Sequence, residues 1–168
     1  MTSYEVRKMR RADLEAVGVL AGRLVRMHHE FDAKRFLDLA NPEAGYARYF
    51  ASEIDRNEVV LLVAVAKSLA GAEKAVQAIV GYAYARLEPR SYNELLDACG
   101  KLHDVYVDEA WRGRGVGSGL VREAVARLEA LGAPRVVLLT AEGNAAAQKM
   151  FARLGFRTTM LEMTREAT

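Results

Sequence analysis

Between Leu102 and Leu120 the chain reads LHDVYVDEAWRGRGVGSGL: an apolar strand pattern, then four alternating glycines at 113, 115, 117 and 119, then a helical pattern. Such a run is destabilising in itself, because each glycine in a helical position costs about 0.5–1 kcal/mol relative to alanine. It makes sense where the backbone must come close to something else. Glycines let N–H groups converge with no side chain in the way. The start of the following helix adds unpaired donors and the positive end of its dipole, and Arg112 and Arg114 add charge alongside. Together these describe a cradle for a pyrophosphate.

Two common phosphate-binding loops fit it poorly. A P-loop needs G-x-x-x-x-G-K-[ST], and no Lys-Ser or Lys-Thr follows these glycines; Lys67-Ser68 stands elsewhere. A dinucleotide-binding turn needs G-x-G-x-x-G almost directly after its strand. Here five residues, Asp108 to Arg112, intervene and the register is absent, although Glu142 is available as a ribose-binding acid. A flexible turn without a ligand leaves the glycines unexplained.

The rest of the chain must supply a scaffold. Tyr4 to Met9 reads as a strand and Arg11 to about Glu30 as a helix, with Leu14, Val17, Leu20, Leu24 and Met27 returning every three or four residues. Asn41-Pro42 is a cap and first turn for a second helix, whose apolar face is Tyr46, Tyr49, Phe50 and Ile54. Val59 to Ala66 and Val76 to Arg86 read as an antiparallel pair joined by a hairpin at Ala70 to Lys74. Lys101 to Val107 is a strand, Val116 to Leu131 a helix closed by Gly132 and Pro134, Val136 to Thr140 a strand, Asn144 to about Leu154 a helix, and Arg157 to Met163 a last strand. The order implies one domain over residues 1–168: a mixed, mostly antiparallel sheet of about six or seven strands with helices on both faces.

Composition narrows the function. A length of 168 residues, 51% hydrophobic and 27% charged, suits one soluble domain. The net charge of +2 gives no general reason to expect nucleic acid or a membrane surface as partner. The single cysteine, Cys99, the charged N-terminal segment and the shortness of the apolar run Val59–Ala66 point to a cytoplasmic protein. His28 and His29 beside Glu30 and Asp32 have the composition of a metal site, but adjacent helical side chains point about 100° apart and do not chelate together easily, so a charge role at the helix C-terminus or a place on a substrate-side rim fits them better. No metal is expected.

Three motifs then occur in order: Leu102-x-x-Val105-x-Val107, Arg112-x-x-Gly115-x-Gly117, and Asn144-x-x-Ala147-x-x-Met150-Phe151-x-x-x-Gly155-Phe156. Together, with a core over residues 101–157, they resemble the GCN5-related N-acetyltransferases (GNAT): the fourth strand, the [QR]-x-x-G-x-[GA] turn and the N-x-x-A-x-x-[LF]-[YF]-x-x-x-G-[FY] helix. The resemblance extends over nearly the whole chain. It implies transfer of an acetyl group from acetyl-CoA directly to an amine of a small molecule or protein, with no acyl-enzyme on Cys99. The alternative is a non-catalytic acyl-CoA sensor.

By that resemblance, Arg112, Gly113, Arg114, Gly115, Val116, Gly117 and Ser118 hold the CoA pyrophosphate. The fourth and fifth strands splay, and pantetheine lies between them on the backbone of the segment Val105, Tyr106 and Val107, one N–H polarising the acetyl carbonyl. Asn144 contacts pantetheine, or is simply a helix cap; both readings stand. By strand alternation, Cys99, Lys101, His103, Val105 and Val107 share a face. His103 is the leading general base, since imidazole titrates near 6.5 and arylalkylamine acetyltransferases carry a histidine there; the competing reading is a strand histidine satisfied by a neighbour. Asp104 and Tyr106 project to the other face and are weaker candidates. Phe151 stands where many relatives place a tyrosine acid, leaving Tyr82, Tyr84, Tyr106 or water for that role. Trp111 either covers CoA or anchors the turn. Glu53, Asp55, Glu58, Glu88, Glu94 and Asp97 fall near the family's acceptor cleft and read mostly as solvated charge. Homodimerisation is an expectation of the resemblance alone, and the acceptor is not readable.

Overall fold

The computed structural model describes residues 3–67 and 78–167. The expected hairpin connection Ala70–Lys74 and the first residues of the strand from Val76 lie outside them.

Strand β1 (Ser3–Lys8) leads through a short 3-10 turn into helix α1 (Leu14–Phe31). Helix α2 (Pro42–Glu53) follows a loop and starts as its sequence dictates: the Asn41 side chain accepts from the Ala44 N–H at 3.3 Å, and Pro42 takes the first position. Then come β2 (Val59–Lys67), β3 (Ile79–Glu88), β4 (Cys99–Val107), α3 (Val116–Ala130), β5 (Val136–Leu138) and α4 (Ala145–Arg153). The strands form one sheet in chain order; β1 to β4 are antiparallel neighbours and β5 joins β4 in parallel. Helix α3 is the crossover that parallel pairing requires.

Each sheet face has its own core. Helices α1 and α2 bury Val17, Leu20, Leu24, Phe50 and Ile54 against Leu61, Val63, Val65, Tyr82, Tyr84 and Tyr106. Helix α3 buries Val116, Leu120, Val121, Ala124 and Leu128 against Val60, Leu62, Ala64, Ala83, Ala85 and Leu102. Strand β2, covered on both faces, is therefore continuously apolar from Val60 to Val65. Helix α2 can approach α1 closely only because position 18 is glycine: a Cβ there would sit 2.6 Å from the Glu43 carbonyl oxygen.

The sheet has five strands among the described residues, not the expected six or seven. The segment from Arg157 to Met163, read as strand, is irregular chain, and Met160, Leu161 and Met163 are exposed. The reason is the lack of a ladder to join. Strand β5 stops after three residues, and the chain beyond Gly155 runs to the loop after α1, where Glu162 pairs with Arg35.

Candidate active site

The glycine turn is held from three sides. The Asp108 carboxylate accepts from the Ala110 N–H at 3.0 Å and pairs with Arg23 of α1. The Arg112 guanidinium donates from Nε to the Val107 carbonyl at 3.1 Å and lies over the Tyr106 ring. From β1, the Tyr4 hydroxyl donates to the Gly115 carbonyl at 2.9 Å. Gly113 and Gly115 have φ of +74° and +80°, a left-handed region that side-chain-bearing residues avoid. Gly115 is the N-cap of α3 and supplies no side-chain acceptor, so the first N–H groups of the helix, from Val116 onward, are open to a ligand. A Cβ on Gly113 would meet nothing within 4 Å. The open space, the donors and the flanking Arg112 and Arg114 fit a diphosphate. Trp111 packs against the α3-side core with Arg114 over its ring, so it anchors the turn.

Next to the turn the sheet opens. Strands β4 and β5 pair only at Gly100↔Val136, Lys101↔Val137 and Leu102↔Leu138. Beyond that point β4 continues from His103 to Val107 with, among the described residues, a strand partner on the β3 side alone, while β5 ends two residues before the expected Thr140. The slot belongs to a cavity of about 340 Å³. One end is lined by Leu138, Leu139, Thr140, Asn144, Ala147 and Phe151, the other by residues of α1, the following loop and Tyr46, with His103, Asp104 and Val105 between. Asn144 caps α4 by accepting from the Ala147 N–H at 3.2 Å and also borders the cavity. Phe151 borders it too, edge-on to Phe156.

The alternation expected along β4 fails at one residue. The β3–β4 register steps from Tyr84↔Asp104 to Ala85↔Leu102, which leaves His103 as the extra residue of a β-bulge. Leu102 and Val105, three apart, therefore both pack on the α3 side, while His103 and Asp104 both turn to the α1/α2 side. His103 stacks on Tyr84 with ring centroids 5.0 Å apart, and its Nε2 lies 3.1 Å from Glu88 Oε1. So His103 does not share a face with Val105 and Val107, and Asp104 faces the cleft rather than away from it. The Tyr82 hydroxyl donates to Asp104 Oδ2 at 3.1 Å, and burial pushes the Asp104 carboxyl up to about 6.

The other candidates are placed plainly. Tyr82, Tyr84 and Tyr106 are core residues outside the cavity lining, and Tyr84 bonds Tyr49 at 2.8 Å. The tyrosine at the cavity is Tyr46, its hydroxyl pushed up to about 12 by burial and by Asp104. Five of the six acidic residues of the acceptor side are bound to cations, Glu53 and Glu58 to Arg86 and Arg56, Asp55 to Arg11, Glu94 to Lys101 and Asp97 to Arg90, and the sixth, Glu88, lies against His103 Nε2. His28 Nδ1 faces the Leu24 carbonyl and His29 Nδ1 that of Phe36, so both serve the α1 terminus. Cys99 is buried, which pushes its thiol up.

A turn of this geometry beside a split parallel strand pair defines a class, and comparison with known proteins agrees. The sequence profile of the acetyltransferase (GNAT) family matches residues 24–156. The chain belongs to that family. Among solved structures, a tetramutant of a Bacillus halodurans protein superposes with a TM-score of 0.78 at 17% identity, covering 97% of this chain and 99% of its own. An aminoglycoside N-acetyltransferase in complex with CoA gives 0.72 at 17% identity, with 99% and 96% covered. Glucosamine-6-phosphate N-acetyltransferase from Arabidopsis thaliana gives 0.68 at 16%, with 98% of each chain covered. At these identities the likeness is one of fold. A sequence comparison with curated proteins found no match. Among the described residues no helix is long and apolar enough to cross a membrane.

Proposed function

We propose that the chain is an N-acetyltransferase that moves the acetyl group of acetyl-CoA directly to an amine. One observation carries the reading: β4 and β5 part at Leu102↔Leu138, immediately beside a glycine turn shaped for a diphosphate. Acetyl-CoA supplies an activated acyl group. The N–H groups from Gly113 to Ser118, with Arg112 and Arg114, hold its diphosphate. The free edge of β4 around Val105, Tyr106 and Val107 takes the pantetheine arm, with Asn144 and Phe151 on the opposite wall. A β4 N–H in the slot polarises the acetyl carbonyl as an oxyanion-type donor. The proton acceptor comes from the cleft side of β4, where His103 and Asp104 stand side by side.

Phe151 has no hydroxyl to protonate the departing thiolate, and Tyr82, Tyr84 and Tyr106 are buried behind the residues that line the cavity. That favours a second reading, a sensor that binds acyl-CoA without turning it over. Thiol release from acetyl-CoA over a panel of amines separates the two. Release dependent on one class of amine supports transfer; tight CoA binding with no release on any amine supports the sensor. A thiol with a pKa near 8.5 leaves readily enough that the lack of a tyrosine acid is compatible with turnover.

A further inference from the structure

We infer that Asp104 is the side chain that holds the acceptor's ammonium group and receives its proton, and that the acceptor is a primary amine on an apolar body with no second charge close to the nitrogen. The inference rests on the acetyltransferase reading and gives its open acceptor site a chemistry.

The bulge is what makes it possible. With His103 as the extra residue, His103 and Asp104 sit side by side on the α1/α2 side of the sheet, against Tyr84 and Tyr82. Asp104 is the one acidic side chain among the described cavity-lining residues. Of the other carboxylates nearby, Glu53, Glu58 and Glu94 are paired with Arg86, Arg56 and Lys101, and Glu88 is in contact with His103 Nε2. Asp104 has no cationic partner among the described residues; its one hydrogen bond is from the Tyr82 hydroxyl to Oδ2. A half-buried carboxylate without a cation is less stable than the same group paired with one. The structure supplies none, so the ligand does. The groups around it are Tyr82 and Tyr84 of β3, Tyr46 of α2, His28 of α1, Arg35 of the following loop, and His103 and Tyr106 of its own strand. Arg35 is already paired with Glu162. From α1, α2 and the loop between them the cavity takes a mostly apolar and aromatic lining, Leu24, Val25, Met27, Phe36, Leu37 and Tyr46, with His28 and Arg35 as its basic members. One half-buried carboxylate in such a lining suits one positive charge on a hydrophobic body. It suits polyamines badly, because no second carboxylate among the described lining residues meets a further ammonium group, and it suits amino sugars less well than an apolar body, because most of that lining offers their hydroxyls no partner.

The chemistry balances. The ammonium gives one proton to the Asp104 carboxylate, and desolvation of both partners narrows the gap between their affinities for it. The amine nitrogen then forms a bond to the acetyl carbon as the C–S bond breaks, and the sulfur leaves with the electron pair. The nitrogen's second proton passes to the thiolate, and Asp104 returns its proton to solvent. The products are an N-substituted acetamide, CoA thiol and one proton.

The test uses the full chain loaded with CoA, with phenethylamine as the single-charge apolar probe and 2-phenylethanol, spermidine and glucosamine 6-phosphate as comparisons. Binding is followed by calorimetry and turnover by thiol release, for wild type, Asp104→Asn and His103→Ala. Phenethylamine should bind wild type best. Asp104→Asn should weaken it by more than tenfold and lower kcat/KM by a hundredfold or more, and His103→Ala should lose less. Asp104→Asn is nearly isosteric and removes a half-buried charge, and its melting midpoint is read alongside. Wild-type binding and turnover in Asp104→Asn would overturn the inference, as would stronger binding of spermidine or glucosamine 6-phosphate with the transferase reading intact. Asp104-dependent amine binding without thiol release on any amine would uphold the ammonium subsite and remove the transferase reading instead.

Discussion

At the scale of single residues, Asp104 is the point where structure and stability disagree. Its carboxyl is shifted from 3.8 to about 6 because burial disfavours the charged form. A raised carboxyl means that the folded chain holds a proton the unfolded chain has already released. Stability contributed by that proton is complete below about pH 4 and is lost as pH rises through 6. Well above pH 6 the ionised group is a standing cost on the order of 3 kcal/mol. Asp104→Asn, which keeps the hydrogen bond from Tyr82, should therefore raise the unfolding free energy from urea titration at pH 8 by about that amount and change it little at pH 3.5. Equal effects at both pH values would mean that the carboxyl is not shifted. A position that destabilises the fold when charged is the kind that function retains.

At the scale of elements, the glycine turn depends on its neighbours. Gly115 at φ +80° would strain any side chain-bearing replacement by about 1–2 kcal/mol. Gly115→Ala should weaken CoA binding by roughly tenfold by calorimetry, a ratio that about 1.4 kcal/mol sets. Tyr4 lies more than a hundred residues away in sequence, yet its hydroxyl fixes the Gly115 carbonyl. Tyr4→Phe should weaken CoA severalfold while lowering stability by no more than about 1 kcal/mol. An unchanged CoA affinity in both variants would show that the turn's conformation does not govern binding.

At the scale of the whole molecule, most of the scaffold could be read from periodicity and caps. The returns of Val17, Leu20 and Leu24 place α1, Asn41-Pro42 places the start of α2, and the glycine turn places the start of α3. What escaped depends on registers between segments that local patterns do not encode. Strict alternation put His103 on the face of Val105 and Val107 and split it from Asp104, because nothing within Lys101–Val107 states that β3 pairs with a skip at His103. A trace was there: Leu102 and Val105, both apolar, are three apart, a spacing no regular strand buries on one face. The segment after Arg157 has strand composition but no neighbour to ladder with, and composition does not count neighbours. Tyr46 and the apolar wall beside it come from α1, α2 and a loop, so only the tertiary arrangement assembles them.

The central claim is that the backbone from 113 to 118 grips a diphosphate while the split beside β4 takes the arm attached to it. Amide hydrogen exchange with and without CoA reads those groups directly. The account predicts slowed exchange at 113–118 and along 103–107 when CoA is present, and none of it with NAD. Protection confined to other segments, or equal protection by NAD, would contradict it.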